Sequence, residues 1–292
     1  MSRLFLGLPA VAKLNLFLHV TGRRADGYHE LQSLMVPIDL HDRLDFELRD
    51  DGAITRDGDV IGAPENDLCL RAAQRLQRES GTSLGVQITV QKSIPAGSGM
   101  GGGSSDAATT LLALNRLWRL GWPRARLAPL ALELGADVPF FLGPGPALAE
   151  GIGERLTAVA WPPRWFAVIH PQVSVSTSEI FSAPELTRST KALTMPAFSA
   201  LRDHALRGDS SASGPLFGAN DLQPVACGRY AEIASALEYL SGFGPARMTG
   251  SGSAVFAPMP DEASARQAIA GIAGGWRGWA VRSLEELPLA QW

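Results

Sequence analysis

The chain has 292 residues and a formal net charge of −3, with 46% hydrophobic and 19% charged residues. This length and composition predict a globular protein with a sizeable core, most simply in two domains. The charge gives no electrostatic case for binding nucleic acid or an anionic membrane. Two distant cysteines, Cys69 and Cys227, favour reduced thiols, and we expect a cytoplasmic protein with neither a signal peptide nor a membrane span.

The first predicted element is a strand at the start of the chain, where residues 14–20 alternate between apolar and polar positions. Lys13 and Asn15 are two positions apart, so their side chains project from the same face of an extended strand. A lysine at the start of a strand is usually a solvated edge charge. Its position alone therefore leaves its role open.

A short polar segment follows, with a turn signal at Asp26 and Gly27. The next two residues, Tyr28 and His29, bring an aromatic ring and an imidazole onto a loop or its edge, where binding groups are common. A polar loop anchored by its tyrosine is the alternative interpretation.

Two strands are predicted next, around Ser33–Leu40 and Arg43–Arg49. A turn-rich tract at 50–62 separates them from a helix that starts near Cys69 and ends near Gly81.

The most distinctive stretch is 95–108, in which five glycines fall within seven positions. Glycine is costly to order inside a regular element, so this stretch is predicted to be a loop. A half-buried strand precedes it at 85–91, and a helix with apolar residues from Ala107 to Leu117 follows, which Ser104 or Ser105 is expected to cap. Strand, glycine loop and helix N-terminus form an anion-binding arrangement, and we expect it to hold nucleotide phosphates. A structural glycine turn is the alternative.

Commoner glycine motifs fit this loop less well. Gly97, Gly99 and Gly102 have dinucleotide-fold spacing, but no second strand ending in an acidic residue follows. The loop also lacks the lysine of a P-loop, since Gly102 is followed by Gly103. No protein-kinase catalytic motif accompanies it.

Another helix is predicted at Arg124–Leu134, and the segment after it contains a lone carboxylate, Asp137, among apolar residues. Carboxylates are seldom buried without a partner. The default interpretation is that Asp137 caps the turn before Pro139. A strand is then predicted at 147–150.

The Trp161-Pro162-Pro163 segment is a stiff connector, and we predict domains at 1–160 and 161–292. The second half alternates strands and helices, which predicts an α+β architecture. Its predicted elements are strands at 165–170 and 279–282, two strands flanking a second glycine turn at 249–253, and helices at 197–207, 230–240 and 263–272. A low-complexity tract, Ser210–Gly214, has no assigned role.

Lys13 and Asp137 are candidates for the chemistry that a phosphate site implies. Phosphoryl transfer to an alcohol uses fixed donors and Mg²⁺ around the triphosphate, a carboxylate that accepts the hydroxyl proton and a cation near the transferred group. A nearby cation also favours the ionised form of a carboxylate. Sequence spacing cannot establish that these two residues meet, so their pairing is a hypothesis.

Three segments resemble the motifs of the GHMP kinases, the superfamily named for galacto-, homoserine, mevalonate and phosphomevalonate kinases. They are residues 10–16 (AVAKLNL), 95–108 (PAGSGMGGGSSDAA) and 249–256 (TGSGSAVF). Residues 24–31 (RADGYHEL) and 135–141 (GADVPFF) narrow the resemblance to the branch that acts on a cytidine diphosphate ester of methylerythritol, in the non-mevalonate isoprenoid route. The resemblance covers roughly residues 8–257.

This resemblance implies ATP-dependent phosphorylation of the 2-hydroxyl of that small-molecule substrate. It makes Asp137 the base and Lys13 its cationic partner. The implied substrate-binding residues are Asn15, Tyr28, His29, Asp137, Thr177 and Phe181, with Tyr28 and Phe181 stacking on cytosine. The implied ATP-binding residues are Asn66, Asp67, Leu68 and Lys92 around the adenine, and Pro95, Ala96, Gly97, Ser98, Gly99, Met100, Gly101, Gly102, Gly103, Ser104 and Ser105 along the phosphates.

The implied fold is the two-domain, α+β GHMP-kinase fold, with an N-terminal domain like ribosomal protein S5 domain 2 and a ferredoxin-like C-terminal domain. The implied cofactors are ATP and Mg²⁺, although the sequence shows no acidic magnesium ligand and offers only the Ser104 or Ser105 hydroxyl. Asp106 must point away from the phosphates or toward the metal. We expect a monomer or homodimer. The alternatives are another GHMP kinase, of homoserine or mevalonate type, and an S5-like nucleic-acid-binding module.

Overall fold

The computed structural model describes residues 3–59, 62–207 and 216–292, and it contains two β-sheets. The strands of the first sheet are β1 (Leu4–Arg23), β2 (His29–Arg49), β3 (Ile54–Gly58), β4 (Gly85–Gln91), β5 (Ala147–Gly151) and β6 (Arg155–Ala158). Those of the second are β7 (Trp165–His170), β8 (Arg247–Met248), β9 (Val255–Met259) and β10 (Arg277–Arg282). The second sheet has the order β10-β7-β9-β8 and is antiparallel throughout, whereas β3 pairs in parallel with β4 in the first.

The α-helices are distributed around these two sheets. They are α1 (Leu68–Ser80), α2 (Gly102–Leu117), α3 (Arg124–Leu134), α4 (Val138–Phe141), α5 (Thr177–Ser182), α6 (Met195–Arg207), α7 (Gln223–Arg229), α8 (Ala231–Ser241) and α9 (Glu262–Ala270). None of the helices in the described ranges has the length and apolar character to cross a membrane. The Ser210–Gly214 tract lies outside the described residues.

The first two strands are longer than predicted. The predicted break near residue 41 is wrong, because β2 stays paired with β1 on both sides of it. The register changes where Val11 faces His41 but Ala12 faces Ile38, so a bulge absorbs the extra residues of β2. Strand β1 also continues through Pro9. Proline has no N–H group to donate, and it is tolerated in a strand where the sheet does not need that hydrogen bond.

Two short strands, β3 and β6, were not predicted. The first lies in the tract interpreted as turns, because its sequence, ITRDG, is polar and ends in turn residues. It forms only because β4 supplies the hydrogen-bonding partner. The remaining predicted strands and helices are present, with ends that differ by a few residues at most.

The helix starts are set by different caps. The Asp67 carboxylate accepts hydrogen bonds from the N–H groups of Cys69 and Leu70, which starts α1. Helix α2 starts at Gly102, and its N-cap residue is Gly101, with φ of 74°. The prediction that Ser104 or Ser105 caps α2 is therefore wrong: the glycine run continues into the helix, so both serines lie inside its first turns.

Three buried apolar clusters, formed within the described ranges, stabilise the fold. One lies between the first sheet and α1–α4, and a second lies between the second sheet and α5 and α7–α9. The third cluster joins the two sheets, because it contains Leu14 and Val36 from the first sheet and Phe166 and Phe256 from the second sheet. The two halves therefore share a buried interface, which fixes any site between them.

The C-terminal segment returns to the first half of the molecule. Leu287 and Leu289 belong to the first apolar cluster. Arg124 donates hydrogen bonds to the carbonyl groups of Leu289 and Ala290 at 2.5 and 2.8 Å. The change of sheet falls between Ala158 and Trp165, and the domain limits 1–160 and 161–292 stay a prediction.

Candidate active site

The glycine loop that precedes α2 packs against the second glycine turn, from the other half of the chain. The N–H of Ser253 donates to the carbonyl of Gly97 at 3.3 Å, and the N–H of Ala254 donates to that of Ser98 at 3.0 Å. The loop also joins β1, because the N–H of Lys13 donates to the carbonyl of Met100 at 3.0 Å. These bonds hold three distant segments at one place.

Two positions in the loop show why glycine is required there. Gly99 has φ of +76°, and a Cβ atom on it would lie 2.3 Å from the carbonyl oxygen of Thr249. Gly101 has φ of +74°, and its Cβ would lie 3.0 Å from the Phe141 ring and 3.3 Å from Lys13 Cε. L-residues rarely adopt such φ values. Glycine thus permits both the turn and the close contact with the lysine.

The loop and the N-terminus of α2 line a cavity of about 330 Å³. Its wall contains Pro95, Ala96, Gly97, Ser98, Gly99, Gly101, Gly102, Gly103 and Ser104 from the predicted phosphate loop, and Asn66, Asp67, Leu68 and Lys92 from the predicted adenine side. Free N–H groups and the positive end of a helix dipole meet here, which suits a polyanion. We call this the nucleotide cavity.

A buried ion cluster forms the floor of the nucleotide cavity. Lys92 Nζ donates to Asp42 Oδ2 and, at 2.6 Å, to Asp106 Oδ2. Burial alone would lower the lysine pKa, but the two carboxylates outweigh it, so the pKa of Lys92 lies above its ordinary value. Burial raises the pKa of Asp106. The positive charge of Lys92 lowers this pKa and the negative charge of Asp42 raises it, and the net shift is upward. Asp106 therefore points to the lysine, as one of two acids sharing a single cation.

Lys13 and Asp137 lie next to each other at the mouth of the glycine loop. Lys13 Nζ is 3.3 Å from Asp137 Oδ2, and it also donates to Asn15 Oδ1. The lysine side chain is 3% exposed, whereas that of Asp137 is 38% exposed. The cation is therefore held inside the protein while the carboxylate stays open to a bound molecule. Asp137 is the N-cap residue of α4 but makes no side-chain capping bond, so its carboxylate is not occupied there.

Asn15 is fixed from both sides. Its Nδ2 donates to Ser33 Oγ at 2.8 Å, and its backbone N–H donates to Thr249 Oγ1 at 2.9 Å. Its side chain thus keeps Lys13 oriented and faces the same cavity as Asp137.

A wider cavity of about 540 Å³ lies beyond this pair and carries aromatic groups. Tyr28 is 61% exposed at its edge. The His29 and Phe181 rings lie 5.1 Å apart at an angle of 32°. Thr177 also lines it, and its hydroxyl lies 2.8 Å from that of Ser251 in the second glycine turn. We call this the aromatic cavity.

Burial lowers the pKa of His29, and the nearby Arg188 and Arg23 lower it further. The imidazole is therefore neutral at physiological pH. Arg188 Nε donates to its Nε2 at 3.0 Å.

The nucleotide and aromatic cavities are connected by a middle cavity of about 350 Å³. It shares Gly97, Gly99, Gly101 and Ser104 with the nucleotide cavity, and Thr177 and Phe181 with the aromatic one. Lys13, Asn15 and Asp137 line this middle part. The arrangement can hold a polyanion and a ring-bearing ligand with a carboxylate and an ammonium group between them.

Two residues that were predicted to bind ATP do not line the cavities described above. Met100 and Ser105 are buried, and neither lines the nucleotide or the middle cavity. Their contact with a nucleotide stays a prediction. Asp42, Arg188 and Ser251 were missed by the sequence analysis. No local signal distinguishes Asp42, which stands between His41 and Arg43 with Asp39 and Asp45 close by. Arg188 likewise lies in a segment without any pattern.

Comparison with known proteins agrees with this geometry. Residues 67–145 match the N-terminal domain of the GHMP kinases, and residues 197–277 match their C-terminal domain. The chain also shares its fold with a homoserine kinase from Cytophaga hutchinsonii (TM-score 0.68, 17% identity, 98% of this chain and 96% of that one). The chain belongs to the GHMP kinase family, and it is an ATP-dependent small-molecule kinase with that family's two-domain α+β fold.

Relatives with higher sequence identity to this chain have more specific names. The chain is 53% identical over 281 residues to proteins named 4-diphosphocytidyl-2-C-methyl-D-erythritol kinase from Burkholderia mallei and Burkholderia thailandensis, covering 96% of this chain and 94% of each relative. A crystal structure of 4-(cytidine 5'-diphospho)-2C-methyl-D-erythritol kinase matches with a TM-score of 0.80 and 34% identity, over 94% of this chain and 98% of that one.

Proposed function

We propose that the chain transfers the γ-phosphoryl group of ATP to the 2-hydroxyl of 4-diphosphocytidyl-2-C-methyl-D-erythritol, in the non-mevalonate route to isoprenoid precursors. The observation that carries the proposal is the row of three connected cavities, with the acid–cation pair in the middle one. The aromatic cavity gives a pyrimidine base a place at one end, and the glycine loop gives the triphosphate a place at the other.

In this reaction Asp137 is the base. Its carboxylate takes the proton of the 2-hydroxyl as that oxygen forms a bond to the γ-phosphorus, and the bond from this phosphorus to the β–γ bridging oxygen breaks to release ADP. Lys13 orients Asp137 and offsets negative charge on the transferred group. Asn15 holds Lys13 in place and binds the erythritol end.

The remaining predicted residues divide between the two ends. Asn66, Asp67, Leu68 and Lys92 border the adenine, and residues 95–105 bind the phosphates. Tyr28 and Phe181 stack on the cytosine, His29 hydrogen-bonds its edge and Thr177 lies close to it. Base stacking on aromatic side chains contributes roughly 1–3 kcal/mol per base, enough to favour this substrate over one without a base.

We include Mg²⁺ as a cofactor. Within the described residues there is no group of three acidic, histidine or cysteine side chains that could hold a metal ion. This suits a magnesium ion bound mainly by nucleotide phosphates and water, since Mg²⁺ keeps several waters and takes few protein ligands. The Ser104 hydroxyl, between the nucleotide and middle cavities, would be its protein ligand. When bound, the ion neutralises triphosphate charge.

Several wider expectations belong to the same proposal. We propose a monomer or homodimer that acts in the cytoplasm and does not bind nucleic acid. The free thiols of Cys69 and Cys227 fit a reducing compartment.

A coupled assay of ADP release tests the proposed reaction. The diphosphocytidyl substrate, methylerythritol 4-phosphate, homoserine and mevalonate are compared at equal concentration with the wild-type protein and Asp137→Asn. We expect release only with the first, and mass and ³¹P spectra should show its 2-phosphate. Comparable turnover of homoserine or mevalonate would overturn the substrate assignment.

A further inference from the structure

Arg188 links the His29 ring to the end of helix α5. Its Nε lies 3.0 Å from His29 Nε2. A guanidinium group can only donate, so this ring nitrogen is the acceptor and carries no proton. In a neutral imidazole the proton must then lie on the other nitrogen, Nδ1.

The arginine itself cannot turn away easily. Its Nη1 donates to the carbonyl of Leu186 at 3.0 Å, and its Nη2 donates to those of Phe181 and Ala183 at 3.0 and 2.6 Å. Phe181 also contacts the His29 ring. One guanidinium group therefore fixes both the imidazole and the backbone that carries its aromatic neighbour.

We propose that Arg188 is a positioning residue that holds His29 as the Nδ1–H tautomer, and that this N–H reads the ring-nitrogen acceptor, N3, of the substrate's cytosine. The second half rests on the proposed function, whereas the first concerns the free protein. Uracil carries a hydrogen on N3, so it would place a donor against a donor. A site built to hydrogen-bond one partner rejects an analogue that leaves its buried groups unpaired.

The surrounding charges keep this histidine neutral. Burial and the positive Arg188 and Arg23 lower its pKa. The acids nearest in the chain, Asp26 and Glu30, both lie within 4 Å of Arg24, at 3.2 and 3.8 Å. A protonated ring would lose the acceptor that Arg188 requires. Base binding should thus persist down to a pH at which an ordinary histidine, with a pKa of about 6.5, is half charged.

The test compares Arg188→Met with Arg23→Met in the full-length protein labelled with ¹⁵N-histidine. Both arginines lower the histidine pKa, but Arg23 donates to the carbonyl of Gly27 instead of the ring, which makes its variant the matched control. Two-bond ¹H–¹⁵N spectra report which ring nitrogen carries the proton, and His29→Gln identifies the signal.

We expect the proton on Nδ1 in the wild type and in Arg23→Met, and a shift toward Nε2 with a raised pKa in Arg188→Met. The KM for the cytidylyl substrate should rise about tenfold in Arg188→Met at pH 8, while the KM for ATP changes less than about twofold. The rise should be smaller at pH 6, because a protonated imidazole again carries a proton on Nδ1. Selection against the uridylyl analogue should weaken in parallel.

A wild-type spectrum with the proton on Nε2, or one that Arg188→Met leaves unchanged, would overturn the proposal. A purely structural arginine would alter the KM without changing the tautomer. If the protein phosphorylates no cytidylyl substrate while the tautomer still depends on Arg188, the proposed function fails and the positioning role stands.

Discussion

Lys13 Nζ and Asp137 Oδ2 lie 3.3 Å apart, although the lysine belongs to β1 and the aspartate precedes α4. The buried ammonium group also holds Asn15, so it cannot follow the carboxylate into solvent. The contact is therefore a fixed cation beside an accessible acid. This arrangement is what the proposed reaction requires of its base and of the cation beside it.

Asp137→Asn should keep the shape of the site and remove the base. We expect kcat to fall about 10²–10⁴-fold, with ATP affinity within about twofold of wild type, because positioned general bases contribute on that scale. Steady-state kinetics and nucleotide titration measure the two quantities. Asp50→Asn, which alters an exposed carboxylate paired with Arg3, is the control and should leave both unchanged. Unchanged turnover in Asp137→Asn would remove this residue from the mechanism.

Tyr28→Ala should weaken binding of the substrate base. The ring is 61% exposed, so its removal should not disturb the core. We expect the KM for the cytidylyl substrate to rise about 10- to 100-fold, as loss of a stacking contact implies, with little change for ATP. Tyr28→Phe keeps the ring and should remain close to wild type. A rise confined to the KM for ATP would mean that the two ends of the site are reversed.

Gly99→Ala should destabilise the loop through a direct clash. The added Cβ would meet the carbonyl of Thr249 at 2.3 Å, and the residue has positive φ. Gly121 also has positive φ, +63°, but a Cβ added there would have no heavy atom within 4 Å, so Gly121→Ala measures the backbone cost alone. We expect a loss of about 1 kcal/mol in the control and about 3 kcal/mol in Gly99→Ala. Equal losses in denaturant unfolding would show that the two glycine turns do not pack as described.

Asp106→Asn should stabilise the protein at neutral and alkaline pH. The pKa of Asp106 is raised in the folded state, chiefly by burial, so ionising it there costs free energy. Between the ordinary carboxyl pKa of about 4 and the raised folded value, the native state binds more protons than the unfolded one, and stability falls as pH rises.

The variant lacks this titration, so its advantage in thermal midpoint should be present at pH 8 and shrink as pH falls through the folded pKa. Asp50→Asn, at an exposed acid, should show no such trend. A variant that is less stable than wild type at pH 8 would mean that both carboxylates are needed to hold Lys92.

Local pattern was enough for many elements. Helix α1 was predicted from apolar residues at helical spacing that end near Gly81, and the structure adds Asp67 as its N-cap. The glycine loop before α2 follows from its composition. These features depend on neighbouring residues alone, so the sequence carries their full physical cause. The break predicted within β2 was wrong because the continuity of that strand depends on its pairing with β1.

The sequence alone was therefore sufficient to predict the glycine loop, most of the helices and strands, and the shared face of Lys13 and Asn15. It was also sufficient to recognise the family resemblance, which the comparisons confirm. The packing of the folded chain was needed to establish that Lys13 meets Asp137, that Lys92 is shared by Asp42 and Asp106, and that Arg188 reaches His29. Each of these contacts joins segments that are not neighbours in the chain. Their distance is set by how the sheets and helices pack, which no local pattern encodes.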